Sequence, residues 1–359
     1  MNTPLEAAAP RPRTPVAPPA RALRVAVLGA TGLVGSKMLQ LIDERALPIS
    51  ELLPLASPRS ASRSVPFAGE RVRVQPVSHE LLRGVDLLLA SAGGDVSRAW
   101  LPIAAREGAV CIDNTSAFRM DRDVPLVVPE VNSDRLAPIA LGGGGAIIAN
   151  PNCSTIQLVT ALEPLRRAFG LARVHVSTYQ SVSGAGRVAV ERFRAATAAR
   201  LQSHDGETGP KGAPGVPVFD VLPEIGDLDE DGHTSEEVKM MRETPKILGE
   251  ELPLDVTCVR VPVFTGHAES VVVQTQKPCD VRAALAVLRD APGVCVHDGA
   301  PPTPAATAGT HAVHVGRVRA SRSFERGLQL WIVADNLLKG AAWNAVQIAE
   351  SLICRSPAR

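Results

Sequence analysis

A thiol at the first turn of a helix is a place where chemistry can start, and the stretch Asn150-Pro-Asn-Cys153-Ser-Thr puts one there. Cys153 opens a helical pattern that runs to residue 168, so its sulfur sits among backbone N–H groups that lack carbonyl partners and favour a thiolate. Such a thiol is expected to be a nucleophile near neutral pH. The same residue type is more often a small buried hydrophobe, and the five other cysteines (111, 258, 279, 295, 354) have no comparable setting. No two form a C-x-x-C pair, so neither a disulfide framework nor a zinc site is expected, and no metal is assigned.

A second signal lies upstream. Gly29-Ala-Thr31-Gly32-Leu33-Val34-Gly35 follows the apolar run 23–28 and precedes the helical pattern 37–42. Missing side chains in a strand–turn–helix setting let the backbone approach a pyrophosphate at the positive end of the helix. The next strand, 51–56, ends in Ser57-Pro-Arg59-Ser60, where an NAD site places an acidic residue. A guanidinium flanked by hydroxyls suits a 2′-phosphate, so NADP is the expected cofactor. Without the glycine turn, Arg59 would be an ordinary surface arginine.

These residues need a scaffold. Strands at 23–28, 51–56, 85–90 and 109–113 alternate with helical patterns at 37–42 and 96–106, which implies a parallel sheet covered on both faces. From about residue 150 strands predominate (173–180, 257–263, 270–276, 313–320, 327–334), with a helix at 281–288. The fold class is therefore α/β: an N-terminal Rossmann-like parallel-sheet domain (22–150) with an α+β domain (151–335). A final helix, 336–353, returns to the first domain. Gly/Pro-rich stretches at 205–217 and 299–310 read as loops.

The chain has 359 residues, with 38 Lys+Arg against 37 Asp+Glu. A net charge of +1 gives no positive field for nucleic acid. No apolar run is long enough to span a membrane. With 45% apolar residues and few cysteines, a soluble, cytoplasmic protein is expected. Residues 1–21 are proline- and alanine-rich and read as a disordered extension. Arg11 and Arg13 with the single acid Glu6 give a transit-peptide reading that the proline density argues against.

Eight segments carry a resemblance. They are Ser-Ala-Gly-Gly (91–94), Asp-Asn-Thr-Ser-Ala-Phe-Arg-Met (113–120), Val-Pro-Glu-Val-Asn (128–132), Ala-Asn-Pro-Asn-Cys-Ser-Thr (149–155), Tyr-Gln-Ser-Val-Ser-Gly-Ala-Gly (179–186), Glu-Glu-Val-Lys (236–239), Arg-Val-Pro-Val through Gly-His (260–267) and Asp-Asn-Leu-Leu-Lys-Gly-Ala-Ala (335–342). In this order, from about residue 23 to 353, the chain resembles the aspartate-semialdehyde dehydrogenases. The resemblance implies NADP-dependent reductive dephosphorylation of L-aspartyl-4-phosphate to L-aspartate-4-semialdehyde through a cysteine acyl-thioester, on the route to lysine, threonine, methionine and isoleucine. It also implies a catalytic and dimerisation domain and a homodimer or tetramer.

By the same resemblance Cys153 is the nucleophile, His267 the general acid/base and Gln180 a residue that positions substrate and thiol. An imidazole with an ordinary pKa of roughly 6.5 can take and return a proton at neutral pH. Arg260 would clamp the substrate carboxylate, Glu236 would pair with its ammonium, and Arg119 and Lys239 would hold phosphate. Ser91, Gly93, Ser183, Gly184 and Asn336 would join Gly29, Thr31, Gly32, Leu33, Val34, Gly35, Ser57, Arg59 and Ser60 around the cofactor. The other histidines (79, 175, 204, 233, 297, 311, 314) match no motif and are read as structural. The sequence departs from the family where a glycine is expected after Arg59-Ser60-Ala61, and in the proline-rich stretch 299–310. The rivals are an N-acetyl-γ-glutamyl-phosphate reductase and a catalytically silent nucleotide-binding homologue. Glu236 disfavours the first, whose substrate has no free ammonium, and the intact Cys153, Gln180, Arg260 and His267 disfavour the second.

Overall fold

Continuous apolar strands need cover on both faces, and the first sheet receives it. The computed structural model describes residues 22–202 and 216–355. The expected N-terminal extension and nearly all of the expected loop 205–217 lie outside the described residues. In chain order the first sheet and its neighbours comprise β1 (Leu23–Leu28), α1 (Leu33–Glu44), β2 (Ile49–Ala56), a hairpin of β3 (Ser64–Phe67) and β4 (Glu70–Arg73), β5 (Gln75–Pro76), α2 (His79–Leu82), β6 (Leu87–Ala90), α3 (Gly94–Arg106), β7 (Val110–Asp113), α4 (Pro129–Asn132) and β8 (Ala146–Ala149). Six of the strands form one sheet in the order β5-β2-β1-β6-β7-β8, and every pairing is parallel. Leu87 and Leu89 join the core shared with α1, while Leu88 and Ala90 join the core holding Leu82 and Leu101.

The remaining elements are α5 (Cys153–Phe169), β9 (Leu171–Gln180), α6 (Arg187–Gln202), α7 (Ser235–Leu248), β10 (Leu254–Arg260), β11 (His267–Thr275), α8 (Val281–Asp290), β12 (Val294–His297), α9 (Pro304–Thr307), β13 (Val313–Ala320), β14 (Gly327–Ala334) and α10 (Trp343–Arg355). Their sheet runs β10-β9-β11-β14-β13-β12, with parallel pairs at its two ends and antiparallel pairs between. Alternate residues such as Val174, Val176, Val271 and Val273 face α5, whose own Ile156, Leu158, Val159 and Leu162 lie in the same core. Helix α10 instead packs Val346, Ile348 and Leu352 into the core of the first sheet beside α1.

Several expected boundaries change. The strand expected at 257–263 stops at Arg260, because Pro262 has no N–H to give a ladder. The turn that follows releases the chain early, so β11 begins at His267 rather than 270. The helix expected from residue 336 starts with a π-turn, Leu338–Ala342, and becomes α-helical at Trp343. Asp335 Oδ1 accepts from the N–H groups of Leu337 (2.8 Å) and Leu338 (3.1 Å) at its start. Inside the stretch 299–310, expected to be a loop, Thr303 caps the short helix α9.

Candidate active site

Topology brings the catalytic candidates to one end of the second sheet. Gln180 and Arg260 are the last residues of the parallel strands β9 and β10 and are direct partners. Because β11 runs antiparallel to β9, its first residue, His267, starts beside the place where β9 ends; Ala268 pairs with Tyr179. Cys153 arrives from β8 of the first sheet and opens α5.

The thiol is set by its neighbours. Asn152 caps α5: its Oδ1 accepts from the N–H groups of Ser154 (3.0 Å) and Thr155 (3.3 Å). Its Nδ2 donates to Glu236 Oε1 (2.8 Å), and its backbone N–H donates to Glu243 Oε2 (2.6 Å). Glu243 Oε1 in turn accepts from Arg119 Nη1 at 2.9 Å. Gly340, in the π-turn, lies against the thiol residue: a Cβ there would come within 2.8 Å of Cys153 Cβ. Burial, reinforced by Glu236, pushes the Cys153 thiol up to about 12, against the pull of Arg260, Arg119 and the Ser154 N–H. The expected low-pKa thiol is therefore corrected for this state. The N-terminal amides contribute in the expected direction, but desolvation outweighs them.

Glu236 is buried and keeps its charge. Burial alone would raise its carboxyl, yet Lys239 Nζ (2.9 Å), Asn152 and Gln180 Nε2 (3.0 Å) together hold it down to about 2. Gln180 is fixed at its other end by Thr178 Oγ1, which donates to its Oε1 at 2.9 Å. Arg260 Nη1 donates to the Ser181 carbonyl at 2.8 Å. His267 is fully buried, and burial followed by the repulsion of Arg260 lowers it to about 3. The Ser181 N–H donates to His267 Nδ1 at 3.0 Å, so in the neutral ring the proton belongs on Nε2. That Nε2 has no hydrogen-bond partner among the described residues. A Cβ on Gly184 would lie 3.1 Å from Arg260 Nη1 and 3.3 Å from His267 Nε2, so glycine leaves the space between them open.

The glycine turn follows β1. Gly29 has φ +89°, and a Cβ there would stand 2.4 Å from the Ser91 carbonyl oxygen; a Cβ on Gly35 would stand 2.1 Å from that of Gly29. Gly32 caps α1 with no side-chain hydrogen bond, so the first amides of α1, at Leu33, Val34 and Gly35, are left for a ligand. Gly93, at φ +99°, does the same for α3 after Ser91. Ser57, Arg59 and Ser60 form a short 3₁₀ turn just past the end of β2, with Ser57 and Arg59 exposed. Arg187 Nη2, at the start of α6, donates to the Thr31 carbonyl at 3.2 Å and ties this turn to the second sheet's elements.

Comparison with known proteins decides the family. Residues 24–139 match the model described as semialdehyde dehydrogenase, NAD binding domain, and residues 162–339 match semialdehyde dehydrogenase, dimerisation domain. The chain is 47% identical over 333 residues to aspartate-semialdehyde dehydrogenase of Shewanella violacea, covering 92% of this chain and 97% of the relative. It is also 47% identical to that of Bacillus subtilis, covering 92% and 98%. The chain belongs to the aspartate-semialdehyde dehydrogenase family. The crystal structure of aspartate semialdehyde dehydrogenase II from Vibrio cholerae, complexed with ASA, superposes with TM-score 0.87 at 45% identity, covering 93% of this chain and 99% of that one. The expected fold class holds: a Rossmann-like parallel sheet beside a mixed-sheet dimerisation domain. As a member of the family it is an oxidoreductase of amino-acid biosynthesis.

Against that family background some candidates take unforeseen surroundings. Arg119 is buried and spends three N–H groups inside the protein, on Glu243, the Asn150 carbonyl (3.0 Å) and the Asn114 carbonyl (3.0 Å). Asn336 Oδ1 accepts from the Gly266 N–H (2.8 Å) and from Ser181 Oγ (3.1 Å), and its Nδ2 donates to Ser183 Oγ (2.9 Å). Asn336 and Ser183 thus hold the turn that delivers His267. Sequence reasoning missed Glu243, Asn152 and Gly340. It also missed Lys339, fully buried with Glu130 Oε2 at 2.7 Å and Gln347 Oε1 at 3.0 Å. Glu243 lies outside the eight segments, and although Glu130 lies within one, neither local sequence names its partner, 124 and 209 residues away.

Proposed function

We propose that the chain catalyses the reversible, NADP-dependent reductive dephosphorylation of L-aspartyl-4-phosphate to L-aspartate-4-semialdehyde, with Cys153 as nucleophile. One observation carries the choice of substrate: Glu236, buried and ionised beside Cys153, offers a carboxylate to a free α-ammonium. An N-acylated glutamyl substrate has no such cation. Arg260 holds the α-carboxylate from the end of β10, and Lys239 and Arg119 supply the positive charge for phosphate, with Arg119 acting through its two unspent N–H groups.

Cys153 sulfur attacks the acyl carbon and phosphate leaves, taking the thiol proton on its own oxygens. The glycine turn, the uncapped first turn of α1 and Arg59 fit a dinucleotide with a 2′-phosphate. When bound, that cofactor supplies the hydride that reduces the thioester carbonyl. His267 donates from Nε2–H to the oxygen as negative charge grows there, and Gly184 leaves room for that oxygen between Nε2 and Arg260. Collapse of the oxyanion expels the Cys153 thiolate and frees the aldehyde, and a proton from solvent restores the thiol. In this reading His267 works chiefly as a donor, because Nε2 can take a proton only in the tautomer that carries Nδ1–H, and that Nδ1–H would face the Ser181 N–H.

The proposal divides the chain into an NADP-binding unit, 22–150 completed by α10, and a catalytic and dimerisation unit, 151–335. A cytoplasmic homodimer, or a tetramer of two dimers, is the expected assembly; no helix among the described residues is long and apolar enough to cross a membrane. The deciding experiment is a phosphate-dependent assay of aspartate semialdehyde with NADP⁺, run beside NAD⁺ and beside N-acetylglutamate semialdehyde. Turnover should need phosphate and favour aspartate semialdehyde and NADP⁺. Preference for the N-acetylated aldehyde would overturn the role of Glu236.

A further inference from the structure

Three side chains that the reaction does not use converge on the outer face of the second sheet. Cys295 and His297 are alternate residues of β12, and His314 is the direct partner of Cys295 on β13. Val294, Val296, Val313 and Val315 between them face the core, so the cysteine and both histidines share the opposite face. Their donor atoms all lie within 4.8 Å of one another. His297 Nε2 is 2.9 Å from His314 Nδ1 and 3.8 Å from Cys295 Sγ. Tetrahedral zinc with one sulfur and two nitrogens sets these two separations at about 3.3 Å and about 3.6 Å, so these two pairs need move only a few tenths of an ångström.

The surroundings fix which nitrogen is available. Thr310 Oγ1 donates to the Thr307 carbonyl at 2.7 Å and lies 2.8 Å from His314 Nε2. Having given away its proton, that hydroxyl accepts from His314 Nε2–H, which leaves the His314 Nδ1 lone pair pointing at His297 and Cys295. A hydrogen bond to the far nitrogen is how proteins orient a ligating imidazole. From these contacts we propose that Cys295, His297 and His314 form a Zn²⁺ site, completed by water at the fourth position.

Binding releases the Cys295 thiol proton to solvent, and His297 exchanges its Nε2 proton for one on Nδ1, so both rings stay neutral and the thiolate partly neutralises the ion. The site would tie β12, the edge strand, to β13 and, through Thr310, to the segment 299–310. That segment already grips the same face: Trp331 Nε1 donates to the Pro302 carbonyl at 2.9 Å, and Pro304 packs against Gly266, the residue before His267. The C-x-H spacing with a histidine on the neighbouring strand lacks the paired cysteines by which zinc sites are read from sequence.

Co²⁺ added to the metal-free full-length protein is the probe, since tetrahedral Co²⁺ absorbs in the visible and a thiolate ligand adds a charge-transfer band. Wild type and Cys153→Ser should both bind one ion per chain with that band, and Zn²⁺ should displace it and raise the melting temperature. Cys295→Ser should lose the band, and His314→Gln should bind at least tenfold more weakly; each is read separately, so a folding failure in one leaves the other. Absence of the spectrum in wild type would overturn the proposal. So would a band that survives Cys295→Ser and vanishes in Cys153→Ser, which would place the metal on the catalytic thiol.

Discussion

The glycine turn, tied by Arg187 to the elements of the second sheet, and the thiol pocket are built by opposite means. The turn is made by what is missing: Gly29 and Gly35 pack backbone on backbone at distances that no side chain tolerates. The pocket is made by buried charge, with Arg119, Glu236, Glu243 and Arg260 all at most 8% exposed. A backbone site fails through steric overlap at one residue. A charge network fails when one member loses its partner, because the other is then left buried and unpaired. The two regions should therefore respond differently to substitution.

The largest expected effect separates them outright. Cys153→Ser should lower turnover by at least about 10³-fold, as removal of a nucleophile does, while NADP affinity measured by fluorescence titration stays near wild type. A matched loss of cofactor binding would mean that the two regions act as one. The same thiol tests the electrostatics. With Cys153 pushed up to about 12, its alkylation by a neutral reagent in the free enzyme should rise about tenfold per pH unit across the neutral and mildly alkaline range. A plateau near pH 8 would show that the helix N-terminus outweighs burial.

Next comes stability. Glu243→Gln leaves Arg119 buried without its countercharge and sets an amide N–H₂ against the Asn152 N–H, so unfolding should become easier by about 3–5 kcal/mol. Gly35→Ala should destabilise by about 1–3 kcal/mol through overlap with the Gly29 carbonyl, and should weaken cofactor binding without slowing Cys153 alkylation. Denaturant melts of both variants check the order. A milder Glu243→Gln than Gly35→Ala would reverse the contrast drawn between the regions.

This contrast also explains what was legible in the sequence. The parallel sheet, the glycine turn and the opening of α5 at Cys153 are written in adjacent residues, because strand, turn and helix signals are local. Gln180, Arg260 and His267 are recognisable as motif members, but only the parallel pairing of β9 with β10 and the antiparallel return of β11 bring them together. The partners of those motifs are silent in sequence. Nothing near Glu243 says that it will meet Arg119, and nothing near Gly340 says that a π-turn will press it on Cys153. The ordinary expectation for a helix-opening cysteine failed for a related reason: the local amides are visible from sequence, whereas the desolvation that exceeds them comes from the whole fold.

The smallest effect tests the one place where the backbone-built region relies on a charged side chain. The turn after β2 presents Arg59 between the hydroxyls of Ser57 and Ser60, and no acidic residue stands there to bind a ribose hydroxyl. If Arg59 holds the 2′-phosphate, Arg59→Ala removes a charge-assisted contact that only NADP can make. Because Arg59 is exposed, solvent screens that contact and the loss falls at the low end of the range, about 1.5 kcal/mol. The Michaelis constant for NADP should then rise about tenfold while that for NAD is unchanged. Ser57→Ala and Ser60→Ala remove neutral donors and should each cost less, in the same direction. Raising the salt concentration should shrink the NADP preference of wild type and leave that of the variant flat, since a screened ion pair is lost only where it exists. Should NADP and NAD suffer equally in Arg59→Ala, the arginine would be supporting the turn, and the 2′-phosphate would have to be recognised by backbone groups alone.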